Sequence, residues 1–248
     1  MSEGEVKLPK LISRDEKVEL WFYFLYFGLG LIGTALVGLI FDSIRASQPA
    51  SSHYAFLIVA ISTDILALLF IVWLMKRDIG DFGLRKFGGL AFPLVVIGVA
   101  VVFMIVSELI SAPLRSGFLF NGMTGPPWIG YGAPRSLLAT PIALTFALTY
   151  TLMSAFYQEF VFRGVLLARM TEIFGSTNKA VLVSSIMFSL MHVYQGIYVL
   201  PGHFLFAVSL CWMYLRCKSL WPLVIGHFLV NGVFLVQQFN ATQRLLHL

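Results

Sequence analysis

The chain has 248 residues, of which 58% are hydrophobic and only 12% are charged, with a formal net charge of +5. Ordinary soluble domains carry roughly 25% charged residues, and so sparse a set cannot cover the surface of a chain whose mean hydropathy is +0.86. A soluble enzyme, a disordered chain and a disulfide-stapled secreted module are excluded on these grounds. The two cysteines, Cys211 and Cys217, lack metal-ligand spacing and read as small apolar packing residues.

A membrane crossing needs roughly 20 mostly apolar residues. Seven runs qualify in chain order: about 18–41, 54–75, 90–110, 138–168, 180–197, 201–215 and 220–239. The fourth contains Pro141, a favoured first residue of a helix. The fifth and sixth are short and divided by Gln195, Gly196, Pro201 and Gly202, so six to eight spans fit the pattern. Residues 1–17 are polar and of mixed charge, unlike the basic start of a signal peptide, and read as a retained cytoplasmic segment. The expected fold class is all-α: a polytopic transmembrane helical bundle. It forms one domain over 18–240, its motif-bearing part at 138–240, followed by a tail at 241–248.

Lys and Arg counts orient the bundle. One side carries Lys7, Lys10, Arg14, Lys17, Lys76, Arg77, Arg85, Lys86, Arg169, Lys179, Arg216 and Lys218, and the other only Arg45, Arg115, Arg135 and Arg244. Twelve against four implies a cytoplasmic N-terminus and a multi-pass protein of a cell membrane, prokaryotic in kind. Basic residues in short clusters between apolar runs suit the anionic inner leaflet rather than nucleic acid, so the expected partners are the bilayer and no nucleic acid. The outer connection at 111–137 is rich in Gly and Pro and reads as an ordered or re-entrant loop, or a lid.

Ionisable residues inside spans are costly, which makes each a functional candidate. These are Asp64 in the second span, Glu108 in the third, and Glu159 and Arg163 in the fourth, beside Gln158. The fifth span carries Phe188 and His192, the seventh His227 and Asn231. His53 and His203 lie near span ends, where an interfacial place is the simple reading. At 1.5 Å per residue, Glu159 lies about 15 Å inside Arg169, His227 about 13 Å inside Lys218 and His192 roughly 20 Å inside Lys179. Three helices thus bring polar groups to comparable depth, between the fourth and seventh spans. His227 and Asn231, like Glu159 and Arg163, are i and i+4 and share a helix face.

Each group also has a plain structural reading. A membrane His or Asn often serves as interhelical glue, and Glu159 and Arg163 can simply neutralise one another. Asp64 and Glu108 suit structural pairing or a water-filled vestibule. One catalytic cause, however, accounts for a carboxylate, two imidazoles and an amide at one level. Glu and His activate a water, while a second His and Asn donate to a developing oxyanion, a set suited to amide hydrolysis. No cofactor is expected. Zinc at Glu159, His192 and His227 is the lesser alternative, since no HExxH pair exists.

On these residues the sequence resembles the CAAX prenyl protease and bacteriocin-processing (CPBP, or Abi) family of intramembrane endopeptidases, whose pattern is EExxxR, FxxxH and HxxxN on successive helices. The matching residues are Gln158-Glu159 with Arg163, Phe188 with His192, and His227 with Asn231. Phe162-Arg163-Gly164, Ser219-Leu220-Trp221-Pro222 and Phe82-Gly83-Leu84-Arg85 are similar to the family as well, and the resemblance covers roughly 75–240. It implies a membrane bundle that cleaves a peptide or protein substrate, prenylated in the CAAX branch. The implied roles are water activation by a carboxylate of the fourth span with His192, an oxyanion site at His227 and Asn231, and orientation of the acid by Arg163. Phe160 and Phe188 are candidate substrate contacts.

One position departs from the pattern. Gln158 stands where the family has its first Glu, and an amide cannot take a proton at neutral pH. A family member impaired in catalysis, natural or by Glu-to-Gln substitution, and acting as scaffold or regulator, is therefore the alternative. A small ion-coupled transporter using Asp64, Glu108 and Glu159 is a third reading, without an inverted repeat behind it. Substrate identity and oligomeric state are not legible in the sequence.

Overall fold

The computed structural model describes residues 82–85, 91–106, 140–193 and 199–246, with isolated helical positions at 62, 65, 66 and 69. The first predicted span, most of the second, the loop at 111–137, and Asp64, Glu108 and His53 lie outside the described residues, as do most of the basic residues that set the orientation. Among the described residues the chain is helical and contains no strand: α1 (Ala91–Val106), α2 (Pro141–Glu159), a π-helical segment (Phe160–Leu166), α3 (Leu167–Phe174), α4 (Thr177–Met191), α5 (Leu200–Cys217) and α6 (Trp221–Leu246).

The element ends follow local chemistry. Pro141 opens α2, and the Leu144 N–H donates to Thr140 O at 3.1 Å. Along α2 the hydroxyls of Thr145, Thr149 and Thr151 donate to carbonyls four residues back, at 3.0, 2.9 and 2.8 Å, so these polar side chains are satisfied within their own helix. α3 stops at Gly175, whose φ of 58° is the left-handed cap that glycine adopts without penalty. α5 stops at Lys218, also left-handed at φ 52°, with its N–H on Tyr214 O at 2.7 Å.

These bounds sharpen the sequence reading. The predicted fourth span at 138–168 belongs to a helical path that runs from Pro141 to Phe174 with a π interruption, and α4 ends at Met191 rather than near 197. α6 runs to Leu246, through most of the stretch expected as a tail. Among the described residues no helix is long and apolar enough to cross a membrane. Threonines, serines and Gln158 dilute α2, while Gln237, Gln238 and Asn240 dilute the end of α6.

α4 packs on α5, α6 packs on both α1 and α2, and α3 returns against α4. The core holds Phe82, Phe160, Phe162, Phe188, Phe206, Leu210, Leu220 and Leu223. The α1–α6 contact is close because Gly226 has no side chain: a Cβ there would lie 2.7 Å from Val99 Cβ. Gly226→Ala should therefore destabilise the fold by about 1–3 kcal/mol through overpacking. Thermal unfolding checks this, and a companion Val99→Ala should relieve little of the loss, because the atom met at 2.7 Å is the Cβ that alanine keeps.

A short strap, Phe82–Arg85, locks the turn between α5 and α6. Leu220 N–H donates to Gly83 O at 2.8 Å and Ser219 Oγ to Arg85 O at 2.8 Å. Gly83 has φ 84°, and a Cβ on it would meet the Tyr214 hydroxyl at 2.6 Å, so both backbone and space require glycine. Phe82 packs on Phe160 with ring centroids 5.0 Å apart. The outer faces carry apolar stripes at helical spacing: Leu94, Ile97, Val101 and Ile105 on α1, Leu182, Ile186 and Leu190 on α4, and Leu229, Val233 and Val236 on α6 are all exposed.

Candidate active site

The π segment begins one residue after Glu159. Its last turn closes with the Leu167 N–H on Phe162 O, five residues back, and Ser184 Oγ from α4 donates to the same carbonyl at 3.1 Å. Gly164 sits within this segment, where a Cβ would lie 2.7 Å from Phe82 O. The π turn is thus held from both sides, by α4 and by the strap. π-helical turns of this kind often accompany functional sites.

Glu159 and Arg163 are fully buried. Glu159 Oε1 accepts from Arg163 Nη1 at 3.3 Å and from His227 Nδ1–H at 2.8 Å. A second Arg163 nitrogen donates to Ala207 O at 3.4 Å, and its guanidinium lies 4.5 Å from the Phe188 ring centroid. The guanidinium is therefore held by a carboxylate, a carbonyl and an aromatic face, and it offsets the carboxylate charge at a depth where a lone charge would be costly. Glu159 Oε2 is buried and has no hydrogen-bond partner among the described residues.

A carboxylate can only accept, so the proton of His227 sits on Nδ1 and, in the neutral ring, Nε2 keeps its lone pair. The same logic fixes His192. Its Nδ1–H donates to Phe188 O at 2.9 Å, which again leaves Nε2 as the acceptor nitrogen of the neutral ring. Phe188 is the hub between them, with its ring centroid 4.8 Å from that of His192 and 6.3 Å from that of His227.

Glu159, Arg163, His192 and His227, foreseen from four separate sequence positions, thus form one buried neighbourhood. Gln158 is directed along its own helix, with Nε2 donating to Ser154 Oγ at 3.0 Å, while its Oε1 has no partner among the described residues. Asn231 lies one turn beyond His227 on α6 and is half-buried. Phe160 is packed between Phe82 and Phe156 in the core, and Phe188 is equally buried beneath Arg163, so both build the floor of the site. Among the described residues no three His, Cys, Asp or Glu side chains gather as a metal-binding group, and Glu159, His192 and His227 do not form one.

His203 corrects the sequence reading. It is buried, and its ring stacks on His192 at 4.2 Å between centroids and 25° between planes. Its place at the start of a short apolar run suggested an interface, whereas α5 begins where α4 ends and folds that first turn back onto the site. The signal available was the eleven-residue spacing from His192, with Pro201 in the first turn of the next helix. Ala207 was also unforeseen, and serves through its carbonyl and its small size.

The chemistry open to this arrangement is proton transfer in a low-dielectric interior: two imidazole lone pairs of fixed tautomer, one of them backed by a charge-compensated carboxylate. Residues 140–233 match the family model described as type II CAAX prenyl endopeptidase, Rce1-like. The match contains every side chain of the buried cluster. No curated protein and no solved structure matches the chain.

Proposed function

From the Rce1-like type II CAAX prenyl endopeptidase domain that the chain carries at residues 140–233, we propose that the protein is a membrane-embedded endopeptidase that hydrolyses a peptide bond in the pocket around Glu159 and His227. The observation that carries this reading is the 2.8 Å contact between Glu159 and His227, which joins two helices 68 residues apart. A carboxylate on Nδ1–H holds an imidazole in one tautomer and stabilises the imidazolium that forms when Nε2 takes a proton. His227 and His192 then share activation of a water. The proton passes to an imidazole, the hydroxide attacks the scissile carbonyl carbon, and the same imidazole returns the proton to the leaving amine. Asn231 donates its amide to the oxyanion. Arg163 keeps the carboxylate oriented, and Gln158 offers the water an acceptor oxygen without taking its proton.

This differs in one respect from the roles that the family resemblance implies. With Nδ1–H committed to Glu159, His227 donates from Nε2 only after it has been protonated, so its first role is that of base. A bilayer setting is supported by the sparse charge and by the apolar stripes on α1, α4 and α6. An apolar or prenylated peptide, delivered at the membrane, is the substrate class we propose.

The test is cleavage of prenylated and unprenylated peptides by the purified full chain in lipid. Cleavage is expected, and His192→Ala should lower it by about 10²–10⁴-fold, the usual worth of a general base. A second reading rests on Gln158, whose amide stands at the first position of the acidic motif. If the parent chain is inert and Gln158→Glu starts cleavage, the protein is a catalytically silent member of the family.

A further inference from the structure

His203 has no place in the three motifs, yet its ring makes the closest ring contact in the site. We propose that His203 is a positioning residue for His192, a wall that fixes the plane of the His192 imidazole so that Nε2 faces the reacting water. This rests on the catalytic reading of His192 given above.

Three observations carry it. First, His192 is the residue on which α4 ends, with φ −96° and ψ 9°, and its own N–H turns back to Ser189 O at 2.9 Å. The Nδ1–H bond to Phe188 O holds one edge of the ring, and it persists only while the ring plane is kept in place. Second, among the described residues the His192 ring meets the aromatic surfaces of Phe188, at 4.8 Å and 40°, and of His203, at 4.2 Å and 25°. The 6.4 Å separation of Phe188 from His203 places the two as adjacent walls of a corner with His192 at its apex. Third, His203 is itself pinned. Its Nδ1–H donates to Val199 O at 3.0 Å, the same four-residue return that His192 makes to Phe188. Ser189 Oγ also donates to Leu200 O at 2.7 Å, so the end of α4 and the start of α5 move as one. A ring fixed to a fixed helix end can orient its neighbour, whereas a mobile one cannot.

The required property is a flat, pinned aromatic face, and this sets the test. His203→Phe keeps the face but loses the bond to Val199 O, and His203→Ala removes both. In the full chain with a peptide substrate, His203→Ala should lower kcat by about 10- to 100-fold, the scale of a small misplacement of a catalytic group, with KM and the thermal midpoint little changed. His203→Phe should restore a part of kcat, as it keeps the face without its pin. Nitrogen-15 spectra of labelled histidine provide a second readout that does not need turnover. The His192 resonances, assigned by their loss in His192→Ala, should report one tautomer with Nδ1 protonated in the parent and in His203→Phe, and a mixture in His203→Ala. A parent that cleaves nothing overturns the proteolytic reading and leaves the spectra to decide the positioning role. That role is overturned if His203→Ala leaves both the His192 tautomer and any measured kcat unchanged, or if His203→Phe behaves no better than His203→Ala.

Discussion

A chain carrying Glu159→Leu together with Arg163→Met is expected to fold at least as well as its parent and to cleave nothing. Glu159 and Arg163 are both fully buried, and the carboxylate accepts from Arg163 Nη1 and His227 Nδ1 on a single oxygen. Removing only the acid strands a guanidinium in the interior, so Glu159→Leu alone should cost about 3–5 kcal/mol. Removing both charges and keeping the volume avoids that penalty, and apolar replacement of a buried pair is commonly neutral or stabilising by about 1–4 kcal/mol. Activity follows the other partner. Without Glu159 the His227 imidazole loses the group that sets its tautomer, and peptide cleavage should fall by about 10²–10⁴-fold. Thermal unfolding and peptide cleavage on the two single variants and the double separate the two effects. A double variant as unstable as Glu159→Leu would show that the pair does more than cancel charge, and a double variant that still cleaves would remove Glu159 from the reaction.

Gly164→Ala is expected to dislodge the strap at Phe82–Arg85. The added Cβ would lie 2.7 Å from Phe82 O, a backbone atom with no rotamer to escape into. The strap cannot slide, because Gly83 O and Arg85 O are both held by the α5–α6 turn. Either those two bonds or the π turn must yield, at about 1–3 kcal/mol. If the strap yields, Phe160 loses the Phe82 cover and the chain becomes sensitive to protease near residue 83. Gly175→Ala is the control: a Cβ there meets nothing within 4 Å, and only the left-handed φ of 58° opposes it, at about 1 kcal/mol. Limited proteolysis with thermal unfolding on both variants checks the contrast, which fails if Gly164→Ala behaves like Gly175→Ala.

Local relations were the legible part of this site. The i, i+4 spacing of Glu159 and Arg163 predicts an ion pair along one helix, and that pair forms. Three short pieces, at 82–85, 162–164 and 219–222, drew notice only for resembling a family, and the fold gives the physical reason they occur together: they touch. Gly164 is glycine because Phe82 O needs the room, and Ser219 is serine because Arg85 O accepts its hydroxyl. The pairing of Glu159 with His227 was not legible, since equal depth in a bundle leaves the rotation of each helix undetermined. A polar residue near a span end reads as interfacial unless the chain folds back, which is why His203 was misplaced. The π segment left no mark in the sequence: Phe-Val-Phe-Arg-Gly-Val-Leu is as acceptable to an α-helix as to a π turn, and tertiary contacts from Ser184 and Phe82 decide between them.

The π segment has a consequence for phase. Closing Leu167 onto Phe162, five residues back, accommodates one more residue than an α-helical turn would, so the helix carries a surplus residue directly after Glu159. Wound as an unbroken α-helix, the same residues would give that surplus residue its own share of the turn. Everything before the segment would then turn by about 100° relative to everything after it. Glu159 would swing away from His227 although neither residue had changed. The alignment of the carboxylate with its imidazole is thus a matter of winding number, set by the stretch of helix that follows the carboxylate.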